Sequence, residues 1–210
     1  MGPGMALIRF AFVPALLALG LLSGCGGLAA MAGAGGGGAV NLDRVPREKL
    51  EAFGTPIMRA TIPALGIDTL LSPRDRKGDL VTWESADGHT FTFRNGVLVE
   101  TRGLGPDLMS ASAPGPGPIA AGGATRRSYF YIWENDASQR RDYACTSASA
   151  GQESVEIHGR RHSTRHVAET CLREGGKLTN DYWFEGGTIR QSRQWISPMA
   201  GSGLFFLVIG

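Results

Sequence analysis

Three histidines in one short stretch are the first residues whose spacing suggests chemistry. His158, His162 and His166 recur every four positions. On a helix this spacing would stack three imidazoles on one face, as in a zinc site. The local pattern is not helical, because Gly159 interrupts it and the preceding residues alternate between apolar and polar. On two strands joined by a turn the three rings need not converge. We therefore predict a surface turn and no metal site.

Hydrolytic chemistry finds little support in the spacing of the serines and the acids. No serine lies in a Gly-x-Ser-x-Gly motif, which marks the nucleophile of many hydrolases. Asp107, Asp181 and Glu185 are available as a carboxylate pair for glycan cleavage, but nothing in their spacing selects two of them. The sequence therefore indicates no catalytic residue and no enzyme. An enzyme that trims or modifies a glycan is kept as the alternative class.

A group of aromatic residues with one arginine is a better candidate for binding. Tyr182, Trp183, Arg193 and Trp195 fall on neighbouring strands if Gly186-Gly187 makes a hairpin turn. Aromatic rings and guanidinium groups together stack on sugar rings and hydrogen-bond acidic groups. The same residue types also fill β cores, and both faces of the second strand are mixed in polarity. Two interpretations stay open: a face that binds a glycan or a partner protein, or a part of the core.

Short strands separated by turn signals must position these residues. Asp87-Gly88 and Asn95-Gly96 are typical of tight hairpin turns, so Asp79–Gly105 predicts a three-stranded antiparallel meander. Further short strands are predicted on both sides of this meander, from Pro56 to Ser72 and from Arg127 to Ile209. The fold class is therefore mainly β, with a single antiparallel sandwich or barrel-like domain.

Two segments depart from the strand pattern. Asp43–Gly54 predicts a short N-terminal helix, with Asp43 as a cap, Pro46 in the first turn and Gly54 as the stop. Gly105–Ala124 is rich in proline and glycine and predicts a long loop that is disordered or loosely packed. Whether this loop has a function is left open.

The N-terminal region has the order of a secretory signal. Arg9 precedes an apolar run of 13 residues, Phe10–Leu22, and small residues follow. The run is shorter than the roughly 20 apolar residues that a membrane span needs. A permanent transmembrane anchor is therefore not expected.

The end of the apolar run is more specific. Leu22-Ser23-Gly24-Cys25 resembles the lipobox of bacterial lipoproteins. That resemblance implies cleavage before Cys25, acylation of its sulfur and acylation of the new amino group. Gly26, and not an Asp, follows the cysteine. By the same resemblance, this implies that the lipoprotein is sorted to the outer membrane. More than one acyl chain gives stable anchoring.

These features divide the chain into three parts. Residues 1–24 are predicted to be the signal peptide, and residues 25–41 the lipidated cysteine with a flexible Gly/Ala tether. A Gly-rich tether of this length reaches about 20–25 Å. Residues 42–210 are predicted to form one β-rich domain in the periplasm.

The remaining cysteines and the charge balance agree with an exported protein. Cys145 and Cys171 form an even pair, which in an exported chain predicts a disulfide; two buried free thiols are the alternative. No Cys-x-x-Cys spacing suggests a redox or zinc centre, and no cofactor is expected. Lys and Arg number 21 against 19 Asp and Glu, with no basic block, so no nucleic-acid partner is expected.

Two stretches of this sequence resemble a known family. Trp83–Leu108, with its two tight turns and Gly103-Leu104 before Asp107-Leu108, is similar to the YjbF/GfcB lipoproteins. So is Leu178–Pro198, with Tyr182-Trp183 and Ser192-Arg193-Gln194-Trp195. The resemblance covers most of the chain from Ala60 to Leu207. It implies a mainly antiparallel β fold and a place in operons for group 4 capsule and related exopolysaccharides. The family has no agreed catalytic set, so none is transferred.

Together these features predict a non-enzymatic lipoprotein anchored in the outer membrane and facing the periplasm. We expect it to assist capsule or exopolysaccharide export or assembly by binding the glycan or proteins of the export machinery. A purely structural envelope lipoprotein is the second alternative. The sequence indicates neither the polymer, nor the partner, nor the oligomeric state.

The lipobox interpretation is tested by the substitution Cys25→Ala. We expect the native protein to partition with membranes and the variant to stay unprocessed or to be released, because the variant lacks the sulfur that carries the acyl chain. Mass spectrometry and membrane fractionation measure both properties. If the two proteins show the same mass and the same fractionation, the lipobox interpretation is wrong.

Overall fold

The structure is a computed structural model that describes residues 41–132 and 137–210. The predicted signal peptide, Cys25 and all of the predicted tether except Asn41 lie outside these residues. Among the described helices, none has the length and apolar character needed to cross a membrane.

The described residues form one antiparallel sheet of twelve strands. The strands are β1 (Ile57–Ile62), β2 (Ile67–Lys77), β3 (Leu80–Ser85), β4 (Thr90–Arg94), β5 (Val97–Arg102), β6 (Ser110–Ser112), β7 (Gly123–Ile132), β8 (Ser138–Ile157), β9 (Arg160–Arg173), β10 (Gly176–Glu185), β11 (Thr188–Ser197) and β12 (Gly201–Ile209). Their order is β5-β4-β3-β2-β1-β12-β11-β10-β9-β8-β7-β6. Every neighbouring pair is therefore consecutive in the chain except β1 and β12.

The two outer strands of this order, β5 and β6, approach each other and nearly close the sheet into a barrel. The Thr101 amide donates to the Leu108 carbonyl oxygen at 2.8 Å. The Arg102 guanidinium donates to the carbonyl oxygens of Leu108, at 3.3 Å, and Met109, at 3.2 Å. The mainly β, barrel-like fold expected from the sequence is confirmed.

Alternating apolar residues face the interior of the barrel. In β4, Phe91 and Phe93 are 0% and 2% exposed, and both rings meet Phe205 of β12 edge to face, with centroids 5.6 and 5.0 Å apart. The turn between β4 and β5 has positive φ at both Asn95 and Gly96, 48° and 87°, as a type I′ turn requires. The three-stranded meander predicted from the two tight turns is therefore present as β3–β5.

The N-terminal helix is shorter than the sequence suggested. Leu42–Arg44 form a 3-10 turn, and helix α1 spans only Arg47–Glu51. Val45 is extended, with ψ of 118°, because the residue before a proline disfavours the helical region. Pro46 is also extended and stands just outside the helix. The predicted start at Asp43 is therefore wrong by one turn.

The expectation that Gly105–Ala124 is disordered or loosely packed is wrong. The segment contains β6 and a second short helix, α2 (Pro116–Ala121). Pro116 fits the first turn of α2, where no backbone N–H is needed, and Ile119 is completely buried. Ile119 packs with Val97, Val167 and Phe184. The many glycines and prolines thus shape a fixed segment that packs on the barrel.

Strands β8 and β9 form a hairpin that is longer than its neighbours. At 20 residues, β8 is not one of the short strands that the turn signals predicted. Pairing of β8 with β7 ends at Ser147, and pairing of β10 with β9 reaches only Arg165. Residues 153–164, here called the arm, therefore pair only with each other. A bulge precedes the arm, with Gly151 at a φ of 113°. Bulges bend a strand, which lets the arm lie against the outer surface of the barrel.

The arm packs against α1 and the outside of the last strand. Val155 and Ile157 form a buried cluster with Leu50, Ile57 and Val208. This cluster is separate from the barrel interior. The sheet therefore has a covered outer patch at the arm as well as its inner core.

Cys145 of β8 and Cys171 of β9 stand directly opposite each other and form a disulfide. Both are buried inside the barrel, at 2% and 0% exposure. The bond links residues 26 positions apart.

Removing this disulfide should destabilise the protein measurably. For a loop of 26 residues the chain-entropy model gives a loss of about 3.5 kcal/mol in the Cys145→Ala/Cys171→Ala variant. Chemical unfolding of the native and variant proteins measures this difference. Thiol labelling of the native protein without a reductant is the companion experiment, and reaction at both cysteines would contradict the disulfide.

Candidate functional site

The barrel interior holds a buried ion pair. The Arg127 side chain on β7 donates through Nε to Glu169 Oε2 on β9 at 2.8 Å. The two side chains are 1% and 0% exposed. Burying two charges is costly unless further hydrogen bonds satisfy them. The residues around this pair must therefore be polar and correctly placed.

Strand β10 supplies two of these partners. Asn180 Nδ2 donates to Glu169 Oε2 at 2.8 Å, while its Oδ1 accepts the Trp195 amide at 2.8 Å. The Tyr182 hydroxyl accepts from Arg127 Nη2 at 2.8 Å. Burial raises the pKa of the Tyr182 phenol, so it stays neutral beside the ion pair.

Tyr182 is therefore a correction to the proposed binding face. Its side chain is completely buried inside the barrel. Side chains alternate across a strand, so Tyr182 and Trp183 point to opposite faces of β10. No ligand at the outer surface can contact both.

Gln194 connects this network to the opposite side of the barrel. Its Oε1 accepts the Leu98 amide at 2.8 Å, and its Nε2 donates to the Gly96 carbonyl oxygen at 2.9 Å. The side chain is 2% exposed. Strand β11 is thereby bonded to β5, at the other side of the interior.

The outer face of β10 carries the second group of polar contacts. The His166 ring stacks on Trp183, with centroids 4.4 Å apart and planes 6° from parallel. His166 Nε2 lies 2.9 Å from Asp181 Oδ1. The Trp183 indole N–H donates to Glu153 Oε2 on the arm at 2.7 Å. Trp183 thus joins the arm to the barrel, and one ring face is covered by His166.

Arg193 and Trp195 lie beside this group in different surroundings. Arg193 pairs with Asp181, and 45% of its side chain remains exposed. The Trp195 indole N–H donates to the Tyr131 hydroxyl at 3.0 Å, and Trp195 packs against the main core. The structure therefore leaves Arg193 accessible and makes Trp183 and Trp195 partly buried packing residues. A binding role for these three stays a prediction.

The three histidines lie in different environments. His158 Nε2 is 2.6 Å from the Val45 carbonyl oxygen, and His162 Nδ1 is 3.1 Å from Glu185 Oε2. The hydrogen bond from His162 and the one from Arg190 hold the pKa of the Glu185 carboxyl below its usual range. Each histidine has its own partner: His158 connects the arm to the segment before α1, His162 connects the arm to β10, and His166 connects β9 to β10.

Comparison with known proteins identifies the family. The family model described as group 4 capsule polysaccharide lipoprotein gfcB, YjbF, matches residues 41–202. This chain belongs to the YjbF/GfcB family. A solved structure of the hypothetical lipoprotein YmcC from Escherichia coli (K12) has a TM-score of 0.69 to this chain at 20% identity. The similarity covers 80% of this chain and 90% of YmcC, and it shows a shared fold. A search of curated protein sequences found no significant match.

The acids considered for glycan cleavage are each engaged in structural contacts in this YjbF/GfcB protein. Asp107 accepts hydrogen bonds from the Thr101 hydroxyl and from the Gly103 amide at the β5–β6 seam. Asp181 and Glu185 are four residues apart on β10, which corresponds to about 13 Å along a strand. Carboxylates of glycosidases lie roughly 5–9.5 Å apart. All three acids have structural partners.

Among the described residues, the cluster of metal-ligand type is Cys145, Glu169 and Cys171. Both cysteines are in the disulfide, so neither offers a thiolate. Glu169 Oε2 already accepts from Arg127 and Asn180. The chemistry of these groups therefore does not suit a metal ion.

Sequence reasoning missed Arg127, Glu169 and the arm. Strand parity could have indicated that Arg127 and Glu169 are buried. Glu169 shares its strand face with Cys171, two positions along, and Arg127 shares its face with Tyr129. Because cysteine is among the most often buried residue types, the same-face neighbour of Cys171 is a candidate for burial. The arm left no comparable signal, since the two halves of β8 look like ordinary short strands.

Removing one charge of the interior pair should be severe. Glu169→Gln keeps the shape of the side chain but leaves the Arg127 charge buried without a counter-ion, and we expect a loss of about 3–5 kcal/mol in unfolding free energy. The double variant Glu169→Gln/Arg127→Met should lose less than the sum of the two single variants, because it removes both charges.

The matched control is Arg140→Met, which breaks an ion pair with Asp142 whose side chains are both 60% exposed. We expect a much smaller loss than in Glu169→Gln, because both of these charges stay solvated. Urea unfolding measures all four variants. Equal losses in Glu169→Gln and Arg140→Met would contradict the special role of the buried pair.

Proposed function

We propose that this protein is an outer-membrane lipoprotein, facing the periplasm, that assists export or assembly of a capsule or related exopolysaccharide. The match of residues 41–202 to the capsule polysaccharide lipoprotein family is the observation that carries this proposal. The lipobox-like Leu22–Cys25 segment and the following Gly26 support the anchor and its membrane. The family membership supports the pathway.

In this proposal the protein works by binding and not by turnover. The acids and histidines that could serve as catalysts hold structural contacts, for example Asp181 with His166 and Glu185 with His162. The barrel interior is filled by aromatic residues and by the Arg127–Glu169 network. The outer surface is therefore where the protein meets the glycan or an export protein. Exposed Arg193, beside Trp183, is one such contact point.

The experiment is deletion of the gene in its own host. We expect less surface or secreted polysaccharide, while synthesis of the lipid-linked repeat unit continues, because the protein acts after synthesis. Polysaccharide quantification and lipid-linked intermediate analysis measure the two quantities. Complementation with the native gene should restore export.

A Cys25→Ala gene is the informative second complementation. It should restore little export, because the domain is made but misplaced. Normal amounts of every exported polysaccharide in the deletion strain, under conditions where the gene is expressed, would refute the proposed function. Release of shortened glycan by the purified protein would instead favour the enzyme alternative.

A further inference from the structure

A cleft of about 610 Å³ lies where the N-terminal segment meets the arm. One wall comes from the segment between Asp43 and Glu48, and the other from the tip of the arm between Glu156 and Gly159. Phe206 and Val208 of β12 form the floor. The volume falls within the range of small-molecule sites.

One side chain, Arg47, braces the walls and the floor of the cleft. Arg47 Nη2 donates to the Val208 carbonyl oxygen at 2.7 Å, and Nη1 donates to the carbonyl oxygens of Ile157 and His158 at 3.3 and 3.4 Å. Arg47 therefore ties the helix wall, the arm wall and the floor together. His158, at a φ of 50°, completes the tight turn at the arm tip and bonds the Val45 carbonyl oxygen. Such bracing lowers the cost of ordering the site on binding.

The rim of the cleft presents both hydrogen-bond donors and acceptors. Arg59 uses three of its N–H groups on Asp43 and Asp68, and a guanidinium has about five in all. Glu48 and Glu156 are exposed carboxylates on opposite walls. Three carboxylates and two guanidinium groups line the cleft, so neither charge dominates strongly.

The combination of an apolar floor with a mixed rim selects a class of ligand. A sugar ring has an apolar face that packs on an aromatic ring such as Phe206, and hydroxyls that both donate and accept hydrogen bonds. An anionic sugar would face the carboxylates of Glu48 and Glu156. A cationic peptide would bring its positive charges close to the guanidinium groups of Arg47 and Arg59.

We infer that this cleft binds an uncharged sugar segment of the polysaccharide, with Phe206 as the platform and Glu48 and Glu156 as hydroxyl acceptors. The inference rests on the proposed function and deepens it. The cleft lies beside Asp43 and Val45, close to where the chain continues toward the lipobox-like segment. A glycan held there would be bound near the membrane surface.

The test uses the full chain, expressed with its leader and purified in detergent. The probes are oligosaccharides prepared from the polysaccharide that the host exports, separated into neutral and acidic pools. Calorimetric titration measures their affinity. We expect the native protein to prefer the neutral pool, with little dependence on salt.

Three variants locate the binding. Glu48→Gln/Glu156→Gln should weaken binding about tenfold or more, because charge-assisted hydrogen bonds to the sugar are lost. Phe206→Leu keeps an apolar side chain in the outer cluster but removes the aromatic platform, and it should weaken binding as well. The control Glu174→Gln changes an exposed carboxylate in the β9–β10 turn and should bind like the native protein. Thermal unfolding of each variant separates lost binding from lost folding.

Several outcomes overturn the inference. These are failure of the native protein to bind the neutral pool, preference for the acidic pool, and unchanged affinity in the folded Glu48→Gln/Glu156→Gln and Phe206→Leu variants. If the deletion strain still exports less polysaccharide in such a case, the cleft inference fails and the proposed function stands. If the deletion strain exports normally but the native protein binds the neutral pool through the cleft, the proposed function fails and the cleft inference stands.

Discussion

The rest of the barrel depends on the pairing of Arg127 with Glu169. A guanidinium and a carboxylate that have left water cost several kcal/mol each, and only well-placed neighbours offset that cost. Asn180 and Tyr182 supply those neighbours from β10. A shift of one residue in any of these strands would turn a partner to the outer face. The ion pair therefore fixes the register of β7, β9 and β10 together.

The outer surface follows from this fixed register. With Tyr182 inside, Trp183 must point outward, where it meets His166 and Glu153. These contacts hold the arm against the barrel, and the arm in turn forms one wall of the cleft beside α1. The position of the cleft therefore depends on the strand register that the buried Arg127–Glu169 pair fixes. The cleft and the buried network are therefore parts of one arrangement.

Local patterns were sufficient to predict much of this fold. The Asp-Gly and Asn-Gly turns indicated the β3–β5 meander, because a tight turn depends on adjacent residues. The pair of cysteines indicated the disulfide, because an even pair in an exported chain is expected to be oxidised. The helix start at Asp43 and the disorder of Gly105–Ala124 were mispredicted. In the first case Pro46 kept Val45 extended. In the second, burial of Ile119 stabilised a segment whose composition alone suggested a loop.

The candidate site was harder to predict from the sequence than the fold. Tyr182 and Trp183 are adjacent in the chain, and only the three-dimensional pairing shows that one is core and the other outer surface. The contacts of Trp183 with Glu153 and of Arg47 with His158 join residues 30 and 111 positions apart. Neither contact has a signature in local composition. Long-range contacts of this kind are set by the register of the whole sheet.

The strand order also has a consequence for how the barrel is made. All neighbouring strands are consecutive in the chain except β1 and β12, which pair from Ile57↔Ile209 to Thr61↔Leu204. Each hairpin can form from adjacent chain segments, whereas one edge of β1 has no ladder partner until Gly201–Ile209 pairs with it. Such distant pairing is slow, and an open edge invites pairing with another chain. Folding of this barrel therefore includes an interval, ended by the pairing of β12 with β1, in which an open strand edge can pair with another chain.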